Sequence, residues 1–525
     1  MCLPMTDTVD TAPSEPRRRR GGARANPNAG HGGTIPQLPK RKLQRKFPPT
    51  NLLSADELES IHLASLKVLA EIGMDFLHED ARAILKKAGA LIDGERVRFD
   101  PALIEEALSH APETFTLHSR NPANNLEIGG NNIAFGTVGS PPNCHDMEGG
   151  RRTGTRADFQ NFLKLGQHFN AISFNGGYPV EPVDLHASTR HLDALYDMCT
   201  LTDKPIKAYM LGQERSSDAL EIARLARGIS HEQFEREASL ATIVNTNSPL
   251  KLDWNMLNGI LNLSSKGQAV CITPFTLAGA MAPVTVAGAL VEQNAEALAG
   301  LAFCQLVKKG APVIYGGFTS NVDMKSGAPA FGTPEYMKAV LVGGQLARRY
   351  KLPYRTSNTC AANMVDAQAA YESVFSLWAL TMGGGNYIMH GAGWLEGGLV
   401  ASYEKFILDI DLIQMVSEFL QPIEINEDAL GVEAIREVGP GGHFFGAQHT
   451  LGRYTNAFYQ PIISDWRNNQ QWVGAGSPQA WEHANRVYKQ ALKEYVQPEM
   501  DAGAHEALKD FVERRKREGG APTDF

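Results

Sequence analysis

Apolar residues recur along most of this chain in short β-rich runs that alternate with longer helical stretches. From about residue 131, each run ends in Gly, Asn, Ser or Pro, and a segment of helical composition follows it. Eight such runs occur, at residues 132–139, 171–178, 205–211, 240–247, 269–275, 311–318, 353–360 and 386–393. Strands that alternate with helices indicate a parallel sheet, and eight such units predict a closed (β/α)8 TIM barrel over residues 131–420.

Other patterns flank the predicted barrel. Residues 54–57 (SADE) have the spacing of a helix capping box, and apolar residues at helical spacing follow them. Together with nearby extended pieces, they predict a small N-terminal α+β module over residues 51–130. Residues 421–525 form a C-terminal extension with charged helices and a glycine-rich loop, GPGGHFFG, at 439–446.

Charge is unevenly distributed along the 525 residues, whose net charge is −8. Residues 1–46 carry ten Lys/Arg and three Asp/Glu, a net of +7, which leaves −8 − 7 = −15 for the rest. Residues 1–50 are also rich in Pro and Gly, which predicts a disordered basic tail. The run RRRR at 17–20 could contact nucleic acid, but a solvated tail is favoured because the acidic body repels phosphates. No nucleic-acid partner is expected.

Three features favour a cytoplasmic protein. No run approaches 18 consecutive apolar residues, so no membrane span or membrane partner is expected. No apolar stretch follows the arginines at 17–20, which argues against a secretory signal. The six cysteines include no CxxC pair, as is typical of a reducing compartment. The size of the chain and its long extension lead us to expect a homo-oligomer.

The carboxyl ends of barrel strands and the loops after them normally carry the active site. Here those positions hold amides, aromatics and glycines, with few acids or bases. HExxH, GxxxxGK and GxSxG are absent, and no pair of facing carboxylates is evident. This inventory argues against metalloprotease, P-loop, serine hydrolase and glycosidase chemistry.

Three residues near the last strands could carry chemistry, and each has a structural alternative. His390 ends the eighth run and is a candidate catalytic residue, or a histidine that only supports the loop. Glu396 could orient His390 or contact substrate, or it could form a salt bridge at the rim. Cys360 could be a metal thiolate, but a small buried filler is favoured because no second cysteine or spaced histidine accompanies it. No metal site is therefore predicted.

Aromatic side chains at the strand ends suggest a site for a cation. They are Tyr178, Tyr315, Phe318, Trp394 and Tyr403. Aromatic faces attract a quaternary ammonium group, at ~0.5–2 kcal/mol per contact. The prediction requires these side chains to converge, since each alone would be ordinary core or rim packing.

Several motifs, in this order along the chain, resemble those of the trimethylamine methyltransferase family. They are AMAPVTVAG at 280–288, EQNAEALA at 292–299, PVIYGGF at 312–318, DAQAAYE at 366–372 and GGHFF at 441–445. The resemblance extends from about residue 51 to 510. It implies a barrel enzyme that moves a methyl group from a methylated amine to the cobalt of a corrinoid. A separate corrinoid-binding protein would supply that cofactor, so no tightly bound cofactor is expected on this chain.

The chain departs from the family at one point. Members that demethylate trimethylamine carry pyrrolysine in the barrel, whereas this chain has only standard residues. The resemblance therefore implies the branch that uses quaternary amines such as glycine betaine, with trimethylamine as the other possibility. When a quaternary ammonium loses a methyl group, the rest of the molecule leaves as a neutral amine, and no proton is needed. The candidates to fix its carboxylate are His390, Asn245, Asn247, Arg355 and Asn358.

Two alternatives stay open at this point. The first is a zinc-dependent corrinoid methyltransferase that acts on an alcohol or thiol, with zinc on Cys360, His390 and another ligand. The second is a betaine-binding protein without catalysis.

Overall fold

The computed structural model describes residues 34–523, and its first part precedes the large sheet. The helices and strands of this part, in chain order, are β1 (Leu43–Gln44), α1 (Ala55–Lys67), a π-helical turn (Val68–Ile72), β2 (Met74–Phe76), α2 (Glu79–Lys87), β3 (Leu91–Asp93), β4 (Arg96–Arg98), α3 (Pro101–Ser109), β5 (Thr114–Leu117), a 3-10 turn (Pro122–Asn124) and β6 (Leu126–Gly129). The capping box is confirmed, because Ser54 and Glu57 each accept the other's backbone N–H. It fixes the start of α1.

The middle of the chain is an α/β fold built on one curled sheet. Its elements are β7 (Asn132–Thr137), β8 (Asn143–Asp146), β9 (Gly150–Thr153), α4 (Arg156–His168), α5 (Arg190–Leu201), β10 (Ile206–Lys207), α6 (Gln213–Arg227), α7 (His231–Arg236), β11 (Leu240–Val244), β12 (Lys251–Leu252), α8 (Trp254–Ser265), β13 (Ala269–Ile272), β14 (Leu277–Ala278), α9 (Val286–Val307), β15 (Val313–Gly316), β16 (Ser320–Val322), β17 (Pro329–Ala330), α10 (Pro334–Arg349), β18 (Tyr354–Ser357), α11 (Ala367–Gly383), β19 (Tyr387–Ala392), β20 (Trp394–Leu395), a 3-10 turn (Glu396–Gly398), β21 (Val400–Ser402) and α12 (Tyr403–Phe419). The eight-stranded sheet has the order β1-β7-β19-β18-β15-β13-β11-β10. All its pairs are parallel except β1–β7.

The predicted closed barrel is only partly realised. Seven of the eight predicted runs supply the parallel strands of this sheet, and β1 is its eighth strand. The run at 171–178 makes only isolated bridges, from Phe174 to β7 and from Asn175 to β10. Its ladder stops because the Gly176 N–H donates to the side-chain hydroxyl of Thr137, at 3.0 Å, rather than to a backbone carbonyl. The continuous ladder is therefore a curled open sheet.

Alternation along the strands separates two cores. Residues that point inward form one apolar cluster, which the β5–β6 hairpin covers with Leu117 and Ile128. Residues that point outward pack under the surrounding helices in a larger cluster. Polar side chains on the inner face therefore lie in an otherwise apolar environment.

The C-terminal extension consists of helices joined by loops. They are α13 (Glu427–Leu430), α14 (Val432–Val438), a 3-10 turn (Phe444–Gly446), α15 (Gln448–Leu451), α16 (Asn469–Gly474), α17 (Ala480–Glu494) and α18 (Ala502–Arg517). The helix α17 packs against α4 and α12, and α18 packs against α5 and α6. The boundaries predicted at residues 130 and 420 fall between elements, and the division into domains stays a prediction.

The predicted disorder of residues 1–50 is wrong for residues 34–50. Ile35 and Leu43 are buried, and β1 pairs with β7. The Asn170 amide N–H donates to the Gln37 side chain at 2.9 Å. Composition predicted disorder because it does not show which few side chains anchor the segment to the rest of the fold. The arginine run at 17–20 lies outside the described residues. Within residues 34–523, no helix has both the length and the apolar character needed to cross a membrane.

Candidate active site

The strand β18 places one positive charge inside the curled sheet. Tyr354 points outward, where its hydroxyl donates to the Val340 carbonyl of α10 at 3.0 Å. Because side chains alternate along a strand, Arg355 points to the inner face. Its guanidinium lies 5.1 Å from the centroid of the Phe318 ring, which follows the neighbouring strand β15.

Arg355 lacks an anionic partner in the part of the chain that the structure describes. Its side chain is only 3% exposed, and its Nε and Nη1 are buried without a hydrogen-bond partner among residues 34–523. The salt bridges within that range do not include it. Burial lowers the pKa of the guanidinium, yet an arginine keeps its charge at neutral pH. A buried unpaired cation is costly, which makes this position a candidate for binding an anion.

The Phe318 ring beside the guanidinium belongs to an aromatic wall of four rings. Phe318 lies 5.1 Å from Phe275, 5.7 Å from Phe331 and 6.1 Å from Trp394, measured between ring centroids. Phe331 also meets Trp394 edge to face at 6.2 Å. The four rings come from four different loops or strand ends, so their convergence depends on the tertiary fold. Such a wall provides π faces for a cation and excludes water.

His390 is held in a strained conformation beside this wall. Its φ is +56°, a backbone region that non-glycine residues occupy at a cost of ~1–3 kcal/mol. Its ring lies 4.0 Å from that of Trp394, and its Nδ1 accepts the Gly139 N–H at 3.2 Å. Burial, with contributions from Arg355 and Lys207, keeps the pKa of His390 well below 6.5. The neutral ring must then carry its proton on Nε2, which makes it a hydrogen-bond donor.

A second buried cation lies on the inner face at β10. Lys207 is 3% exposed, and its Nζ lies 4.4 Å from the centroid of the Tyr209 ring. Burial and the nearby charge of Arg355 lower the pKa of Lys207 to about 7. This lysine is therefore only partly protonated at neutral pH unless an anion binds close to it.

Further polar atoms in this region also lack partners among the described residues. The Asn358 side chain donates to the Gly391 carbonyl at 3.0 Å, but its Oδ1 is buried and unpartnered. The indole Nε1 of Trp394 and the hydroxyl of Tyr387 are in the same state. Buried polar groups are normally satisfied, so a concentration of exceptions indicates room for a polar ligand or water.

A comparison with known protein families fits these features. The chain matches the model described as trimethylamine methyltransferase over residues 17–520. The chain belongs to this family. The match extends beyond the 51–510 expected from the motifs, into the basic N-terminal segment.

Curated relatives align with the chain over most of their own length. The chain is 35% identical to a glycine betaine methyltransferase of Desulfitobacterium hafniense (strain Y51), over 90% of this chain and 99% of that one. It is 28% identical to a trimethylamine methyltransferase of another strain of that species, over 89% and 94% of the two chains. It is also 28% identical to a proline betaine:corrinoid methyltransferase of Eubacterium limosum, over 88% and 96%. This member of the trimethylamine methyltransferase family is a methyltransferase.

The structure of this methyltransferase brings together part of the residue set predicted from sequence. Phe318 and Trp394 belong to the aromatic wall. His390 and Arg355 lie beside it, and Asn358 is nearby. Tyr178 meets Tyr209 edge to face, at 4.7 Å between centroids. The predicted roles of these residues in binding and catalysis stay predictions.

Three other predicted residues form their contacts with partners outside the aromatic wall and Arg355. The Tyr315 hydroxyl donates to the Asn294 side chain of α9 at 3.0 Å, outside the sheet, so Tyr315 does not face the site. Asn247 pairs with Asp253 through two hydrogen bonds and shapes a turn. Glu396 forms a rim salt bridge with Arg151 at 3.0 Å. The sequence could not show these orientations, because they depend on the alternation phase and the loop paths.

Asn245 keeps its candidate status. It is exposed just after β11. Its role in binding stays a prediction.

Sequence reasoning missed Lys207 and Phe331, and it placed Phe275 at a strand end without assigning it to the site. A lysine inside the apolar run at 205–211 was a usable signal, because charged residues are rarely buried without a reason. Phe331 lies between β17 and α10, in a loop with no periodicity, and only the tertiary fold brings it to Phe318.

The zinc alternative needs ligands that the described residues do not gather. Among residues 34–523, no three His, Cys, Asp or Glu side chains are arranged to hold a metal ion. Cys360 is fully buried, and burial raises the pKa of its thiol to about 12, as is typical of a structural cysteine. The full burial of Cys360 fits the small buried filler that the sequence favoured.

Replacing His390 with glutamine is expected to lower kcat/KM for methyl transfer about tenfold. The reason is that the buried hydrogen bond donated by Nε2 of His390 is lost or misplaced. The pH profile should keep its shape around and above pH 6.5, since burial holds the pKa of His390 well below that value. The measurement is kcat/KM against pH for both proteins. A wild-type inflection near pH 6.5 that disappears in His390→Gln would contradict a neutral donor.

Proposed function

We propose that this methyltransferase demethylates a quaternary ammonium zwitterion of the glycine betaine type and delivers the methyl group to a corrinoid carried by a partner protein. One observation carries the proposal: the buried guanidinium of Arg355, which has no ion-pair partner among residues 34–523, lies against an aromatic wall. A betaine has one carboxylate and one methylated cation, separated by a short chain. Arg355 is suited to the first and the wall to the second.

The names of similar proteins support the same chemistry. One relative is named a glycine betaine methyltransferase, and another a proline betaine:corrinoid methyltransferase. Both names describe carboxylated quaternary amines, which is the ligand class inferred from Arg355. The corrinoid in the second name supports a cobalt-carrying partner.

The residues of this chain would position and desolvate the substrate. Arg355 and Lys207 would hold the carboxylate, and binding would raise the pKa of Lys207 because an anion favours its charged form. The wall would present one methyl group toward the open strand ends and exclude water. His390 would donate from Nε2 to the carboxylate.

A corrinoid bound by the partner would supply a Co(I) nucleophile. The rim of the site suits such an approach, because loops that follow the strands expose apolar side chains. They are Met281, Val284, Met324, Met364 and Leu399. When the methyl carbon is attacked, its C–N bond breaks and the electron pair stays on nitrogen. A neutral tertiary amine leaves, so no residue needs to provide a proton.

The test uses the purified protein, cob(I)alamin under anaerobic reducing conditions, and three methyl donors: glycine betaine, trimethylamine and tetramethylammonium. We expect a change in the visible cobalamin spectrum and one equivalent of dimethylglycine with glycine betaine. Trimethylamine should react more slowly, because its leaving group needs activation. If none of the methylated amines reacts, the proposal is wrong.

A further inference from the structure

The helix α11 has an unusual outer surface. Its exposed positions over residues 371–378 are all occupied by large apolar side chains, each 45–52% exposed: Tyr371, Val374, Phe375 and Trp378. Their spacing places them in one stripe along the helix. The only charged residue of α11 is Glu372, which is buried and accepts the backbone N–H groups of Ala361 and Ala362. A helix on the outside of an α/β fold normally presents charge to water, and α11 does not.

The neighbouring helix α12 extends the stripe. Met415 is 47% exposed and Phe419 is 49% exposed, and the Phe419 ring lies 5.0 Å from that of Trp378. We call these six residues, Tyr371, Val374, Phe375, Trp378, Met415 and Phe419, the apolar flank. The charge beside it, on Glu418, is already paired with Arg41 at 3.0 Å.

A second helix of the same fold shows how such an apolar surface is normally covered by other helices. The helix α9 is also apolar on nearly all sides, and α1 and α3 cover it, so most of its residues are buried. The helix α11 packs sideways against α10 and α12, but no element within residues 34–523 covers its outer face. A helix that is hydrophobic all round belongs in an interior. The flank therefore lacks its cover.

The area of the flank matches a subunit interface. Aromatic side chains each offer ~150–250 Å² of surface. With about half of each side chain exposed, the six residues present roughly 600 Å², at the upper limit for a patch on a monomer. Roughly 600 Å² per partner is at the lower end of the range for stable complexes. Ile423 and Ile425, which follow directly after α12, are also 87% and 73% exposed.

We propose that the apolar flank is the interface between two copies of this chain, related by a two-fold axis. A two-fold interface buries the same patch on both subunits, so one uncharged stripe is sufficient for both sides. The absence of unpaired charge is typical of a permanent homodimer. If the proposed function holds, a corrinoid protein binds and leaves in every cycle, and it does so at the open strand ends rather than at the side of α11. The flank therefore fits a second copy better than the corrinoid partner.

The first test is the mass of the protein in solution. Light scattering after size exclusion should give a multiple of the 57.2 kDa chain for the wild type. The double variant Phe375→Lys/Trp378→Lys should raise the dissociation constant roughly 30-fold or more, because buried aromatic residues dominate such interfaces. The matched control is Trp254→Lys, since Trp254 is 46% exposed on α8 and lies outside the flank. The control should keep the wild-type mass.

The second test does not depend on how the lysine variants fold. Benzoylphenylalanine at position 371 in the full chain, with isotopically light and heavy protein mixed, should give light–heavy cross-links between flank peptides. The proposal is overturned by a wild type of 57.2 kDa at all concentrations, by a lysine variant with wild-type mass, or by cross-links that require the corrinoid protein.

Discussion

Replacing Arg355 with methionine is expected to lower kcat/KM for glycine betaine by ~30- to 3,000-fold. The reason is the loss of a desolvated charge pair with the substrate, which is worth ~2–5 kcal/mol. Arg355 is 3% exposed and has no carboxylate partner among residues 34–523, so its charge is available to a ligand. The loss should appear mainly in KM, since the carboxylate is bound in both the ground state and the transition state.

A donor without a carboxylate separates this role from general damage. With tetramethylammonium, the wild type and Arg355→Met should differ less than tenfold, because that ion uses only the aromatic wall. Arg355→Lys should fall between the two proteins with glycine betaine, since it keeps the charge but loses the planar pair of donors. Equal losses with both donors would mean that Arg355 supports the fold of the site rather than the carboxylate.

Stability should change in the opposite direction. A buried cation without a partner destabilises the folded state, so Arg355→Met should have a thermal midpoint equal to or above that of the wild type. The matched control is Arg349→Met, which breaks a salt bridge with Glu59 on the outer surface and should leave kcat/KM unchanged. A lower midpoint for Arg355→Met would indicate that this arginine already has a structural partner.

The sequence predicted the strand that carries Arg355 but not the side on which the residue lies. A period of two gives alternation, and either phase would have been consistent with the run at 353–360. The pairing of β18 with β15 and the outward contact of Tyr354 select the phase. The same limit explains Tyr315, whose run was predicted correctly while its phenol points away from the site.

Other features needed contacts that are distant in sequence. Phe275, Phe318, Phe331 and Trp394 lie in four loops or strand ends, and only the curled sheet brings them together. In contrast, the apolar surface of α11 could be read from composition, because residues 367–383 contain a single charged residue. Composition shows that α11 carries little charge, but only the fold shows that it is uncovered, since α9 is also largely apolar and lies under α1 and α3.

The second large effect is expected at a buried ion pair behind the site. The Nζ of Lys405 lies 2.5 Å from Asp409 Oδ1, both side chains are 0% exposed, and Lys405 also donates to Ser373 at 2.7 Å. The other oxygen, Asp409 Oδ2, accepts the Gly393 N–H at 2.9 Å. Gly393 has a φ of +103° and directly precedes Trp394. The pair therefore anchors the backbone that presents one ring of the wall.

Replacing Asp409 with alanine is expected to lower the free energy of unfolding by ~3–5 kcal/mol, because it leaves a buried, uncompensated ammonium. The measurement is the thermal midpoint at a fixed scan rate, beside kcat/KM. The matched control is Lys509→Met, which removes a pair of the same i, i+4 spacing whose side chains are more than half exposed. That change should alter stability by less than ~0.5 kcal/mol.

Two double variants separate the charge from the anchor. Lys405→Met/Asp409→Asn removes both charges and keeps an oxygen for the Gly393 N–H, so stability and activity should both recover substantially. Lys405→Met/Asp409→Leu also removes both charges but leaves that N–H without an acceptor. Its stability should recover only in part, and its activity should stay low because Trp394 is no longer held against His390. Equal activity in the two double variants would mean that Asp409 acts on the fold alone, and that the hydrogen bond to Gly393 does not position the wall.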